Sequence, residues 1–274
     1  MSSGGVDVSE SVAFLKAMFQ PQDTVHFRLI ESWVDPETSK VGTLVVGKFW
    51  FRFGLSVPSQ SDPTVNVWRW LPDGEITRQV QRLIDLSAVK KANVYFGVCP
   101  RFGGKGEYEF AWQIRTARCI WIDVDDTDDW SEVAKRIESA KLPPPSIVVH
   151  SGNGLHLYWL LDPSYEIDDT DPVRPAAVRD VWSTDPKGKR RSQEWMFLPD
   201  GSKTIYHKYS TAPRLSKKAM LFQDTLAGIA SAINGDHTHD LSRIMRLPGT
   251  LNRKDERHGK DPRPCRMLRC GTAN

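Results

Sequence analysis

The amino-acid sequence predicts a mixed α+β protein of 274 residues. Stretches with apolar side chains at helical spacing alternate along the chain with short runs rich in β-branched and aromatic residues. Two of those runs are joined by the polar turn Ser151 to Gly154, which predicts a hairpin. No period of about 20 to 50 residues repeats, so solenoids and propellers are excluded.

Ser9 to Phe19 opens with a capping serine and sets Val12, Leu15 and Phe19 on one helical face. Val25 to Ile30 is a short strand, and Thr43 to Val57 supplies one or two more. After the turn signal Asp73-Gly74, Glu75 to Lys91 is a second helix with Ile76, Val80, Leu83 and Ile84 on its apolar face. Asn93 to Cys99 reads as a buried strand closed by Pro100. The glycine-rich loop from Arg101 to Gly106 lacks Walker A spacing, which argues against an ATPase. Ala117 to Asp125 is a strand, and Asp129 to Glu132 has the form of a capping box for a helix that Pro143 to Pro145 stops. Ser146 to His150 and Leu155 to Leu161 form the hairpin. Asp162 to Ser216, dense in Pro, Asp, Ser, Lys and Arg, predicts an insertion or flexible flap. Ala219 to Asn234 is a helix, and the chain then runs to Asn274 without an obvious closing element, as a domain cut from a longer protein would.

Composition narrows the function classes. Hydrophobic residues make up 39%, and ten Trp, eleven Phe and six Tyr are enough for a sizeable core, so disorder throughout is excluded. The apolar runs Ile147 to Val149 and Leu157 to Leu161 fall far short of the roughly 20 residues a membrane-spanning helix needs. Met1 to Asp7 has neither the cationic nor the apolar region of a secretory signal, which predicts an intracellular, cytoplasmic protein. Cys99, Cys119, Cys265 and Cys270 are widely spread and read as free thiols. His237, His239, Cys265 and Cys270 are poorly spaced for structural zinc. The net charge of +3 hides a change of sign: six acids and no base lie between Asp123 and Glu132, whereas Arg243 to Arg269 carries nine Arg or Lys against three acids. Such a division suits a cation at one place and a polyanion at another, or two solvated surface segments.

Three short stretches carry chemistry. In Trp121 to Asp125, Ile122 and Val124 alternate with Asp123 and Asp125, so the two carboxylates share a strand face. Paired carboxylates repel, which raises a pKa or draws a hard divalent cation such as Mg²⁺ or Mn²⁺ between them. A calcium loop fails the count, because Asp128 falls where glycine is needed and Ala134 where the bidentate acid belongs. An acidic strand end that caps the next helix is the plain alternative. In His150 to Trp159, glycines let the backbone approach an anion and Ser151 offers a hydroxyl. There His156 and Tyr158 share one face, which predicts a polar site facing outward over the apolar Leu155, Leu157 and Trp159. In Asp240 to Lys254, Asp240 can complete a three-carboxylate site while Arg243 and Arg246 bind phosphate, or the segment is a capped helix with solvated arginines.

Taken in order, DxD, then SGxGxH, then an aspartate followed by R-L-P-G-T-x-N resembles the three motifs of archaeo-eukaryotic primases. The closest resemblance is to the primase-polymerase domains of plasmid, phage and mobile-element replication proteins, where a helicase often follows. Val25 to Leu29 and Val94 to Val98 look like early strands of these domains, so the likeness covers most of the chain. It implies a catalytic core of two α/β modules, approximately 1–115 and 116–274, with the site on a sheet related to the RNA-recognition fold and an insertion near 162–216. It further implies that Asp123, Asp125 and Asp240 are catalytic and hold two ions of Mg²⁺ or Mn²⁺. Ser151, Gly154 and His156 inherit contacts to the incoming triphosphate, joined by Arg243. Arg246 and Asn252 either join them or fix the local turn. The related polymerase domains of bacterial end-joining ligases carry a lysine in the second-motif loop, where this chain has Asn153, so Arg243 or Arg101 would supply the missing charge.

The activity so implied is template-dependent nucleotidyl transfer, the synthesis or extension of primers from dNTPs or NTPs on single-stranded DNA. Lys187 to Arg191, Lys217, Lys218 and the basic tail are candidates for following the template backbone. A DxD glycosyltransferase is one alternative, though it leaves the second and third stretches unexplained. A non-catalytic replication initiator that binds single strands is the other.

Overall fold

The computed structural model describes residues 5–34, 41–101, 110–169, 177–184, 186, 188, 190–197, 201–205 and 215–271. The protein is α+β, with antiparallel sheets and, among the described residues, four α-helices. Helix α1 (Val8–Met18) is capped by Asp7, whose side chain accepts from the Glu10 amide and from the Ser9 hydroxyl. The cap therefore precedes the serine that the sequence suggested, because Asp7 is the residue left in extended backbone.

Strands β1 (Thr24–Val34) and β2 (Val41–Arg52) form a long antiparallel pair, and β3 (Gly54–Pro58) with β4 (Asn66–Trp70) a second, shorter one. Helix α2 (Asp73–Val89) buries Ile76, Val80, Leu83 and Ile84, the face its periodicity predicts. It leads into β5 (Asn93–Gly97), which pairs with β1. Then follow β6 (Thr116–Val124), α3 (Trp130–Ser139), β7 (Ile147–His150) and β8 (Leu155–Glu166). The expected hairpin is present, with His150 opposite Leu155.

Within the predicted insertion, β9 (Ala177–Thr184), β10 (Arg190–Phe197) and β11 (Lys203–Ile205) make a three-stranded sheet of their own. The described part of that segment is thus regular β structure, each strand pairing antiparallel with the next. Helix α4 (Lys217–Ile233) is capped by the Ser216 side chain. After it come β12 (Ile244–Arg246), β13 (Leu251–Asn252), β14 (Arg263–Pro264) and β15 (Arg266–Cys270).

Two of these late strands return to earlier sheets. β12 joins β5, giving the order β12-β5-β1-β2, and β15 joins β7, giving β15-β7-β8-β6. The stretch beyond Asn252 therefore closes a sheet, which its basic composition conceals. One face of the second sheet, carrying Ile122, Val124, Leu155, Leu157 and Trp159, packs under Val133 and Ile137 of α3 and Ala230 and Ile233 of α4. The other face carries Trp121 and Tyr158 into the larger core, shared with α1, α2 and the first sheet. There Phe14, Phe96 and Tyr158 meet edge to face or tilted, with centroids 5.1 to 6.4 Å apart, and lock the two sheets together. This overturns the expectation that His156 and Tyr158 face outward: the first sheet and α1 cover that face, so it is buried as fully as the apolar one. Among the described residues no helix is long and apolar enough to cross a membrane.

Candidate metal and nucleotide site

Asp123 sits at the end of β6 and Asp125 just beyond it. A third carboxylate reaches them from the loop after α4, where Asn234 ends the helix in left-handed backbone and the Asp236 amide donates to the Asp123 carbonyl at 2.7 Å. Gly235 makes this approach possible, since a Cβ there would fall 2.4 Å from Ile122 Cγ2. Ligand oxygens of Asp123, Asp125 and Asp236 all lie within 4.8 Å of one another.

Asp240, expected from the sequence as the third acid, is not part of this group. Its carboxylate turns onto the amide and hydroxyl of Ser242, two residues on, and so fixes its own loop. Asp236 was missed because nothing in the three motifs includes it. The helix-stop signal Asn234-Gly235 directly before an acid was the available clue.

The donor set suits a hard divalent cation. Burial pushes the Asp123 carboxyl above its ordinary pKa, opposed by Arg243 and Arg246. The Asp236 carboxyl is raised by burial and then by the charges of Asp125 and Asp123. Asp123 is only 8% exposed, and its Oδ1 accepts no hydrogen bond among the described residues. A buried carboxylate oxygen without a donor, beside two further carboxylates, is what an oxygen-ligated cation resolves.

The Ser151 turn lies next to this group. The Ser151 amide donates to the Gly154 carbonyl at 2.8 Å, and Gly152 takes φ +95°. Gly154 passes so close to β6 that a Cβ would lie 2.2 Å from the Val124 carbonyl oxygen. The Ser151 hydroxyl is fully buried and has no hydrogen-bond partner among the described residues. From outside, Asn252 Nδ2 donates to the Ser151 carbonyl at 3.0 Å and Arg263 Nη1 to the Gly152 carbonyl at 3.2 Å. Asn252, itself buried, thus fixes the turn rather than presenting its side chain to solvent.

His156 stands opposite Asp123 in the β6–β8 register, with Nε2 3.6 Å from Asp123 Oδ1. Burial lowers its pKa to about 3, helped by the charge of Arg246, so the imidazole is neutral. Arg243 Nη2 is 3.4 Å from Asp123 Oδ2, and the Arg246 guanidinium lies over the Tyr95 ring at 5.4 Å. These two cations border the carboxylates, which fits a substrate bearing several negative charges.

Other candidates stand elsewhere. Arg101 is buried and donates to the Ser242 carbonyl at 2.9 Å, while residues 102–109 of its loop lie outside the described residues. Lys187 and Lys189 also lie outside them. Lys218 pairs with Asp168 on the surface. Cys265 is buried and Cys270 exposed, and the group with metal-holding geometry among the described residues is the carboxylate one.

No protein-family model matches the chain. No curated protein matches it either. Among solved structures the chain is similar to the AEP domain of the cyanophage S-2L primase-polymerase, at 15% sequence identity and a TM-score of 0.46 over 94% of this chain and 89% of that one.

Proposed function

We propose that this chain is a primase-polymerase: a template-dependent nucleotidyltransferase that makes or extends primers on single-stranded DNA from nucleoside triphosphates. The observation that carries the reading is the convergence of Asp123, Asp125 and Asp236 beside the Ser151 turn and Arg243. The first two sequence motifs, in the order archaeo-eukaryotic primases have them, support it, and the third contributes Arg243 though not its aspartate.

In this reading Asp123, Asp125 and Asp236 would hold Mg²⁺ or Mn²⁺, whose charge would supply Lewis-acid stabilisation of the attacking hydroxyl and of the departing pyrophosphate. Asp240 holds the turn that presents Arg243. The Ser151 hydroxyl donates to a phosphate oxygen, and Gly154 lets the turn lie against the metal-binding strand. Arg243 and Arg246 balance the triphosphate charge that Asn153 leaves unmet. His156, neutral by burial, adds a polar ring beside Asp123 without adding charge. Most of the acceleration then comes from position and fixed charge. The partners are template, primer and dNTP or NTP, in a cytoplasmic setting, with a helicase as the accompanying activity.

A template-directed assay with ribo- and deoxyribonucleotides, with and without primer, in Mg²⁺ or Mn²⁺, tests the proposal. Incorporation that disappears when Asp123 and Asp125 are changed to Ala, while strand binding persists, is the expected result. Full synthesis by that double variant would overturn the assignment. Transfer from labelled nucleotide-sugars instead would make the chain a glycosyltransferase.

A further inference from the structure

A second cluster of cations lies at the opposite end of β6. A pocket of about 260 Å³ is lined by Arg52, Arg101 and Arg115 together with Thr24 and Thr116, the latter's hydroxyl donating to Glu166 at 2.9 Å. Among the described lining residues the one acid, Asp23, is already paired: Arg118 grips both carboxylate oxygens, at 2.9 and 3.0 Å. Arg52 and Arg115 thus line a pocket whose described carboxylate is neutralised from behind, an arrangement that favours an anion, while the Arg101 side chain turns away to the Ser242 carbonyl.

The pocket also has an aromatic neighbour. The Arg52 guanidinium lies 5.0 Å from the centre of the Trp68 ring while its Nη2 donates to Thr24 Oγ1 at 3.2 Å. Trp68 is 39% exposed on β4. Arg52 therefore joins a pocket suited to phosphate to a flat apolar surface turned to solvent. Phosphate-sized anion next to stackable ring is the alternation that a single nucleic-acid strand presents.

We propose that Arg52 and Arg115 bind a backbone phosphate of single-stranded DNA, with a neighbouring base stacked on Trp68. This rests on the primase-polymerase reading for the identity of the strand. From Thr116 to Asp123 along β6 is roughly 20 Å, so the contact falls several nucleotides from the reacting end. It anchors the strand while the carboxylate site does the chemistry.

The test uses the full chain and a labelled oligothymidylate of about 12 nucleotides, followed by anisotropy over a range of salt. Arg52→Ala and Arg115→Ala are each expected to weaken binding about tenfold and to reduce the salt slope by about one. Trp68→Ala is expected to weaken binding, and Trp68→Phe to restore most of it. Mn²⁺ affinity at the Asp123 group should stay unchanged in all four variants, which separates a local effect from unfolding. Affinities within twofold of wild type, or no strand binding by the wild-type chain, would overturn the pocket assignment. Strand binding that follows these variants in a chain that incorporates no nucleotide would sink the polymerase reading and leave the pocket standing.

Discussion

Asp123 and His156 face each other directly across β6 and β8, yet they do not form an ion pair: the imidazole is held neutral by burial 3.6 Å from the carboxylate oxygen. A protonated histidine there would compete with a metal ion for the same oxygen. A neutral one leaves the carboxylate's charge available. His156→Ala is expected to raise the KM for nucleotide about tenfold while kcat stays within about threefold, as steady-state kinetics will show. An unchanged KM would remove His156 from the nucleotide site.

Asp236 and Asp240 make opposite predictions. Asp236→Asn is expected to lower Mn²⁺ affinity, read by titration calorimetry, and synthesis by about 100-fold or more. Asp240→Asn should leave Mn²⁺ affinity within about threefold, since its carboxylate serves Ser242. The reverse pattern would return the third ligand to Asp240.

Gly154→Ala places a methyl group against the Val124 carbonyl, which is backbone and has little room to yield. A stability loss of about 1–3 kcal/mol in urea denaturation, with loss of synthesis, is expected. A variant as stable and active as wild type would show that the turn and β6 are not in that contact.

Asn252 holds the Ser151 carbonyl through Nδ2 and accepts from the Lys254 amide through Oδ1. Asn252→Ala leaves both groups without their partner and should cost about 1–3 kcal/mol. Asn252→Asp keeps the acceptor but sets a carboxylate oxygen against the Ser151 carbonyl, so it should be at least as destabilised as Asn252→Ala and bind nucleotide less well than wild type. Equal nucleotide affinity in Asn252→Asp would limit Asn252 to folding.

His26 gives a pH signature that does not involve the carboxylate group. It is fully buried and stacked on Trp50, and burial, followed by the charges of Arg101, Arg28 and Lys48, lowers its pKa to about 2. The unfolded chain binds a proton below about pH 6.5 that the folded chain refuses, so this contribution is complete above that pH and declines as the pH falls towards about 2. The slope should approach 1.4 kcal/mol per pH unit. Denaturation midpoints for wild type and His26→Phe between about pH 6.5 and 5 should diverge by that slope; parallel curves would contradict it.

Local pattern made much of this architecture legible. The alternation of Ile122 and Val124 with Asp123 and Asp125 placed the two acids together, and the spacing of Ile76, Val80, Leu83 and Ile84 gave the buried face of α2. Pairings between distant segments were not legible. Nothing near Met245 announces that it will lie opposite Phe96, and nothing near Met267 announces Val149. Asp236 belongs to the same class, since its place depends on a backbone bond to Asp123 rather than on its own neighbours. Tyr158 misled because alternation identifies two faces of a strand but not what covers each. Its hydroxyl suggested solvent where Phe14 and Phe96 supply a core.

The closing strand β15 borders β7, the strand that leads into the Ser151 turn, and is tied to α1 through the Arg266–Glu10 ion pair. During synthesis on the ribosome, β6 and β7 emerge more than a hundred residues before Arg266. Until then β7 has an unpaired hydrogen-bonding edge, the kind of feature that invites self-association in a nascent chain. Completion of this sheet thus waits on β15, and chaperone demand should be greatest in that interval.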